Sequence, residues 1–255
     1  MSRTQSYYDL LDAFGQDDCP ICRLALASVC RYIEAINYES VGDPTIRRQL
    51  GASLGFCNEH AYQWLRQAHV LGTATIYLDV LTRLTERLQE VPFRRQTLLT
   101  GVVSLLAPRA NREDREDACA VLEPTGRCPA CGVLEQTEKM LVDTLLAGLS
   151  EPAFSDAYTA SAGLCLPHLR LVFCQTDDEA AFKVLRDVAA VHQERLLEHL
   201  REIIRRHDYR FAGGPAGAER GARERAVRYV VGAHGAGRPE PWGESRGISR
   251  GQGGA

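Results

Sequence analysis

The chain has 255 residues, of which 45% are hydrophobic and 25% are charged, with a formal net charge of −3. These proportions are ordinary for a globular protein and exclude a wholly disordered, collagen-like or small disulfide-scaffold class. Because 30 basic residues are balanced by 33 acidic ones, the charge balance disfavours a general nucleic-acid binder. At this length the chain forms one large domain or two small ones.

The N-terminal segment MSRTQSYYDLLDAF lacks the apolar core and small-residue cleavage site of a secretory signal. The longest uncharged stretch, residues 96–108, falls well short of the roughly 20 apolar residues that a membrane-spanning helix needs. We therefore expect a cytoplasmic protein without a membrane partner. In a reducing compartment, cysteines more often act as ligands or catalytic groups than as disulfides. The 9 cysteines are therefore the first candidates for functional residues.

Two cysteine-containing motifs lie in the first half of the chain, and a helical pattern follows each. CPIC at residues 19–22 precedes apolar side chains spaced by three and four, and GFCNEH at residues 55–60 precedes a longer apolar stripe over residues 70–91. Both patterns predict amphipathic helices. Pro20 suits a first helical turn, and Gly55 suits a left-handed backbone ahead of a new helix. The cysteines are therefore expected at helix N-termini.

The second half of the chain follows the same order. Residues 108–127 are charged, bounded by proline and poor in pattern, so they predict a linker. CPAC at residues 128–131 and GLCLPH at residues 163–168 again precede helical patterns. Residues 211–255 predict a short helix followed by a glycine-rich, disordered tail.

The order CPxC…GxCxxH thus occurs twice with nearly equal spacing, which indicates an internal repeat. No segment of comparable length alternates with period two. We expect an all-α fold, a helical bundle built from two pseudo-twofold-related, zinc-stapled helical units. The predicted division is a first metal-binding repeat at 1–107, a linker at 108–127, a second repeat at 128–210 and the tail at 211–255.

Each motif supplies a pair of side chains that can converge on one ion, because residues three apart lie on the same side of a first helical turn. Random placement of the cysteines and histidines would give roughly 0.3 CxxC and 0.2 CxxH pairs, so two of each in the same order favour metal sites. Three sulfurs and one nitrogen suit Zn²⁺, and two Cys3His zinc sites are predicted. The candidate ligands are Cys19, Cys22, Cys57, His60, Cys128, Cys131, Cys165 and His168.

The pairing of the motifs has two solutions. Sequential neighbours usually pair, so the favoured arrangement places both motifs of one repeat around one ion. In the alternative, Cys19 and Cys22 join Cys165 and His168 across the repeats. The sequence leaves this alternative open.

The chemistry of the sites also has alternatives. An iron–sulfur cluster or a thiol-based redox pair is compatible with the same residue types, although zinc suits the mixed ligands better. A closed, cysteine-rich set makes poor Lewis-acid chemistry, and the sequence contains none of the common catalytic motifs. The interpretation therefore favours structural metals over an enzyme, and no catalytic residue is predicted.

For the remaining cysteines and for two histidines, structural roles are favoured over a functional site. Cys30 and Cys174 lie in apolar helical patterns and are expected in the core. Cys119 is expected to be a loop thiol, with an additional ligand as the alternative. His192 and His199 lie one heptad apart on the last long helix. They are interpreted as side chains at the edge of that helix rather than as a shared polar or metal site.

The motifs CPIC, GFCNEH, CPAC and GLCLPH, together with HDYRF at residues 207–211, resemble an uncharacterised bacterial family described only as a domain of unknown function. The resemblance extends from Tyr7 to Gly232 and implies no established activity. The resulting hypothesis is a zinc-binding helical scaffold or interaction protein with an unidentified protein partner. An iron–sulfur or thiol-based redox sensor is the alternative.

Overall fold

The computed structural model describes residues 3–91, 120, 122–207, 210 and 217–236. All regular structure in these ranges is helical, and they contain no strand. The prediction of an all-α protein is confirmed.

Five α-helices and one π-helical turn lie before residue 92. The helix that follows CPIC continues directly into the π-helical turn at Ile36–Ser40. The α-helices are α1 (Gln5–Phe14), α2 (Pro20–Ala35), α3 (Pro44–Ala52), α4 (Asn58–Gln67) and α5 (Val70–Glu90).

The described residues of the second half contain five further α-helices. Their last member lies within residues 211–255, for which a short helix was predicted. They are α6 (Pro129–Gly148), α7 (Pro152–Thr159), α8 (Leu166–Gln175), α9 (Glu179–His207) and α10 (Ala222–Val231).

The packing of α2 against α6 is the most extensive between any two of these helices. Ile21 near the start of α2 shares a core cluster with Leu145 near the end of α6, whereas Ile33 near the end of α2 shares another with Leu134 near the start of α6. The two helices are therefore antiparallel. All four side chains are at most 3% exposed, so removal of apolar surface from water is the main source of stability along this pair.

The apolar stripe predicted on α5 does not face the core as expected. Val70, Leu81 and Leu88 are 88%, 57% and 51% exposed, whereas Ile76 and Val80 are buried. The helix predicted over residues 70–91 is present, but the stripe is not buried as a whole, because α5 contains apolar side chains on more than one face and periodicity alone does not show which face is covered.

Several predictions fall outside the described residues. These are the linker at 108–119 and 121, the tail at 237–255, and Asp208, Tyr209 and Phe211 of the HDYRF segment. The division into two repeats, a linker and a tail therefore stays a prediction. No helix in the described ranges is long and apolar enough to cross a membrane.

Candidate metal centres

The first cysteine of each motif stands at the N-terminus of a helix, as predicted. Cys19, Cys57, Cys128 and Cys165 are the residues immediately before α2, α4, α6 and α8. Pro20 and Pro129 occupy first-turn positions, where the missing amide hydrogen costs no helical hydrogen bond. Unpaired amides and the helix dipole at these four ends stabilise nearby thiolates.

Two glycines shape the approach to the CxxH helices. Gly55 has φ +92° and Gly163 has φ +70°, a left-handed conformation that side chains with a Cβ adopt only with strain. Each glycine stands two residues before the cysteine that caps α4 or α8. The prediction of a left-handed position ahead of these helices is confirmed.

The first set of four ligand atoms, here called centre I, consists of Cys19, Cys22, Cys165 and His168. His168 Nδ1 lies 3.5 Å from Cys19 Sγ, 3.4 Å from Cys22 Sγ and 3.1 Å from Cys165 Sγ. Cys22 Sγ and Cys165 Sγ are 3.6 Å apart. All four side chains therefore converge on one point between α2 and α8.

The second set, centre II, consists of Cys57, His60, Cys128 and Cys131. His60 Nδ1 lies 3.2 Å from Cys57 Sγ, 3.7 Å from Cys128 Sγ and 3.4 Å from Cys131 Sγ. Cys57 Sγ and Cys131 Sγ are 3.5 Å apart. Centre II repeats the donor set and the spacing of centre I.

The favoured pairing of motifs within one repeat was wrong, and the alternative across the repeats is the arrangement found. Each centre takes its CPxC pair from one half of the chain and its CxxH pair from the other. Antiparallel α2 and α6 explain this exchange, because the start of each helix lies beside the core residues of the opposite half.

The donor geometry fits a single tetrahedral ion. With Zn–S near 2.3 Å and Zn–N near 2.0–2.1 Å, the edges of a zinc tetrahedron are about 3.8 Å between sulfurs and about 3.5 Å between sulfur and nitrogen. The eight separations given above, 3.1–3.7 Å, lie close to these edges, and all donor atoms within each centre lie within 4.8 Å of one another.

Electrostatics in centre I favour positive charge among the sulfurs. Burial opposes ionisation of Cys19, but hydrogen bonds with Cys165, Cys22 and His168 outweigh it and hold the pKa of Cys19 well below its usual value. Burial likewise disfavours charge on His168, yet hydrogen bonds with Cys165, Cys19 and Glu138 raise the pKa of His168 to about 12. A divalent cation bound among the sulfurs would stabilise the thiolates in the same way as a positively charged histidine.

In centre II, too, the two cysteines of the CPxC pair differ in pKa. Hydrogen bonds from Cys131 and Cys57 lower the pKa of Cys128 to about 3. The corresponding contacts with Cys128 and Cys57, together with burial, raise the pKa of Cys131. In each CPxC pair the first cysteine is thus the more acidic thiol.

A buried carboxylate beside centre I was missed by the sequence analysis. Glu138 lies on α6 with 3% of its surface exposed, and its Oε1 is 3.2 Å from His168 Nε2. The sequence contains one indication of this residue: a glutamate on the apolar face of the helix, between Leu134 and Leu141, where a charged side chain needs a partner.

The weaker candidates do not join either centre. Cys30 is partly buried beside Gln63, and Cys174 is exposed, so the core placement predicted for Cys174 was wrong. His192 packs against Tyr229, and His199 lies 3.4 Å from an Arg225 nitrogen. Both histidines stay outside the metal-type groups found among the described residues. Cys119 lies outside the described residues.

Comparisons with known proteins agree with the resemblance seen in the motifs. A curated relative from Caldicellulosiruptor sp. (strain Rt8B.4), described as an uncharacterised 23.9 kDa protein in the xynA 3′ region, is 24% identical over 206 residues. The alignment covers 79% of this chain and 88% of that protein. No solved structure matches the chain significantly. The model of DUF6062, a family of unknown function, matches residues 1–236. The chain therefore belongs to the DUF6062 family.

Proposed function

We propose that the protein is a zinc-binding helical scaffold or interaction protein in which two structural Cys3His sites fix the fold. The observation that carries the proposal is the convergence of four donor atoms in each of centres I and II, at separations close to the edges of a zinc tetrahedron. The cysteines among the described residues form no disulfide, which suits a reducing, cytoplasmic environment.

The closed donor sets support a structural rather than a catalytic role. A catalytic zinc keeps one position open for water or substrate, whereas four protein ligands fill the tetrahedron of a structural site. Each centre offers four protein ligands. The metals would therefore act by joining helix N-termini from the two halves of the chain.

The stabilisation available from such sites is large. Structural zinc contributes an apparent ~10–16 kcal/mol in small peptides at neutral pH. This exceeds or equals the ~5–15 kcal/mol by which whole domains are stable. Removal of both ions is therefore expected to loosen the ends of α2 and α6, which the two centres tie to α8 and α4.

Metal analysis of the purified protein tests the proposal. We expect close to two zinc ions per chain and no visible charge-transfer absorbance. Cys22→Ser, which removes a ligand of centre I, should lower the zinc content to one ion per chain. Cys30→Ser makes the same change on the same helix outside the centres and should leave two ions.

Other outcomes would contradict the proposal. Iron and sulfide with visible absorbance would favour the iron–sulfur alternative. Reversible disulfide formation within the CPxC pairs, in a folded protein that retains no metal after Zn²⁺ is supplied, would favour a thiol-based redox role.

A further inference from the structure

The two histidine ligands differ at the nitrogen that faces away from the sulfurs. His168 Nε2 lies 3.2 Å from Glu138 Oε1, and both side chains are buried. His60 is only 1% exposed, yet its Nε2 has no hydrogen-bond partner within the described part of the chain. Centre I thus has a carboxylate behind its histidine, and none of the described residues places a comparable group behind the histidine of centre II.

The sequence explains this difference through the repeated motifs. Glu138 stands ten residues after Cys128, and Val29 stands ten residues after Cys19. The two positions are therefore equivalent in helices α6 and α2. Val29 is fully buried within an apolar cluster, so the position that holds a carboxylate in one repeat holds a hydrocarbon in the other.

A carboxylate behind a histidine ligand strengthens the metal site. A histidine that binds a metal through Nδ1 carries a proton on Nε2, and an acceptor for that proton fixes the ring and increases its basicity. A buried N–H without an acceptor loses its hydrogen bond with water and gains nothing in return. Loss of such outer partners typically costs 10–100-fold in metal affinity.

The protein also covers the two centres unequally. Cys22 and Cys165 of centre I are each 2% exposed, and Cys128 and Cys131 of centre II are 8% and 9% exposed, while Cys19 and Cys57 are partly exposed in their respective centres. The segment after α10 lies on centre I, where the Ala233 amide donates to Cys22 Sγ at 3.5 Å. This segment therefore adds a hydrogen-bond donor to the surroundings of the sulfurs in centre I.

We infer that the two metal sites are functionally distinct, with an exchangeable ion in centre II and an inert ion in centre I, where Glu138 positions His168. This inference rests on the proposed function, since it assigns different exchange behaviour to the two zinc sites. Centre II is accordingly the site whose occupancy would follow the supply of metal. Glu138 acts through His168 and is a positioning residue.

Zinc release to a chelator tests the inference in two steps. The full-length protein is first reconstituted with Zn²⁺, freed of excess metal and analysed for zinc. It is then mixed with excess pyridylazoresorcinol, and the absorbance of the zinc–chelator complex is followed at constant pH. We expect two ions per chain, released in two equal phases whose rates differ by about 10–100-fold.

Variants of Glu138 assign the slow phase to centre I. Glu138→Val copies the residue of the other repeat and should accelerate the slow phase toward the rate of the fast phase. Glu138→Gln keeps the shape without the charge and should accelerate the slow phase less. Glu135→Gln makes the same change one helical turn earlier and should leave both phases unaltered. An unchanged fast phase distinguishes loss of positioning from general destabilisation, which would accelerate both phases.

The outcomes separate this inference from the proposed function. Fewer than two ions per chain after reconstitution would overturn the proposed function and the inference together. Two ions released at a single rate would overturn the inference alone, as would a slow phase that Glu138→Val leaves unchanged. Where Glu138→Val does not fold, Glu138→Gln decides by the same criterion.

Discussion

Two buried tyrosines of the core around α1 and α7 differ in what their hydroxyl groups contact. Tyr7 Oη donates a hydrogen bond to Glu151 Oε2 at 2.8 Å. The hydroxyl of Tyr158 is fully buried and has no partner among the residues described. The same polar atom therefore stabilises the fold at one position and carries an uncompensated desolvation cost at the other.

This contrast predicts opposite effects of one chemical change. Tyr7→Phe should destabilise the protein by about 0.5–1.5 kcal/mol, because it removes a hydrogen bond and leaves the shape unaltered. Tyr158→Phe should be neutral or stabilising by up to about 1 kcal/mol, because it removes only the unpaired hydroxyl. Urea unfolding of the zinc-loaded variants measures both. A larger loss for Tyr158→Phe than for Tyr7→Phe would contradict the prediction.

At the scale of single elements, α6 shows how a helix end is fixed by close packing. Gly148 is the last residue of α6, and a Cβ built there would lie 2.7 Å from the ring of Phe154. Phe154 is fully buried on α7, so its ring has little room to move. Gly132, in the first part of the same helix, would meet nothing within 4 Å.

The two glycines predict a matched pair of helix variants. Gly148→Ala should lower stability by about 1–3 kcal/mol, because the added methyl group overpacks the contact between α6 and α7. Gly132→Ala should raise it by about 0.5–1 kcal/mol through higher helix propensity. Thermal unfolding of the zinc-loaded proteins should place the two midpoints on opposite sides of the parent value. Equal shifts of the two unfolding midpoints would show that the Phe154 ring moves aside without a loss of stability.

The elements also show which features the sequence could predict. Helix positions and all eight candidate ligands follow from local signals, namely apolar spacing, a proline in the first turn and residues three apart on one helical face. The pairing of the motifs depends on the antiparallel contact of α2 and α6, which no local signal contains. The exposed faces of α5 and the contact between Glu138 and His168 depend on tertiary packing in the same way.

At the scale of the whole molecule, centres I and II join the two halves of the chain reciprocally. Centre I ties the start of α2 to α8, and centre II ties the start of α6 to α4. Because α2 and α6 are antiparallel, the two centres lie toward opposite ends of this helix pair. Among the described residues, neither half of the chain contains a complete centre of this kind, so both halves would be needed to bind either of the proposed ions.

The reciprocal arrangement makes a prediction that zinc counting can test. Cys22→Ser with Cys165→Ser removes two ligands of centre I and should leave one ion per chain under a chelator challenge. Cys22→Ser with Cys57→Ser removes one ligand from each centre and should leave none held firmly. The control pair Cys30→Ser with Cys174→Ser should retain both ions.

Pairing within each repeat predicts the reverse pattern, because Cys22 and Cys57 would then share one site while Cys22 and Cys165 would belong to two. Circular dichroism of each variant, recorded before the chelator is added, shows whether the helices have formed, so that a lost ion is not confused with a chain that fails to fold. One ion retained by the variant with serine at 22 and 57, and none by the variant with serine at 22 and 165, would exclude the exchange of ligands between the halves. The opposite result would follow only from centres that each draw on both halves of the chain.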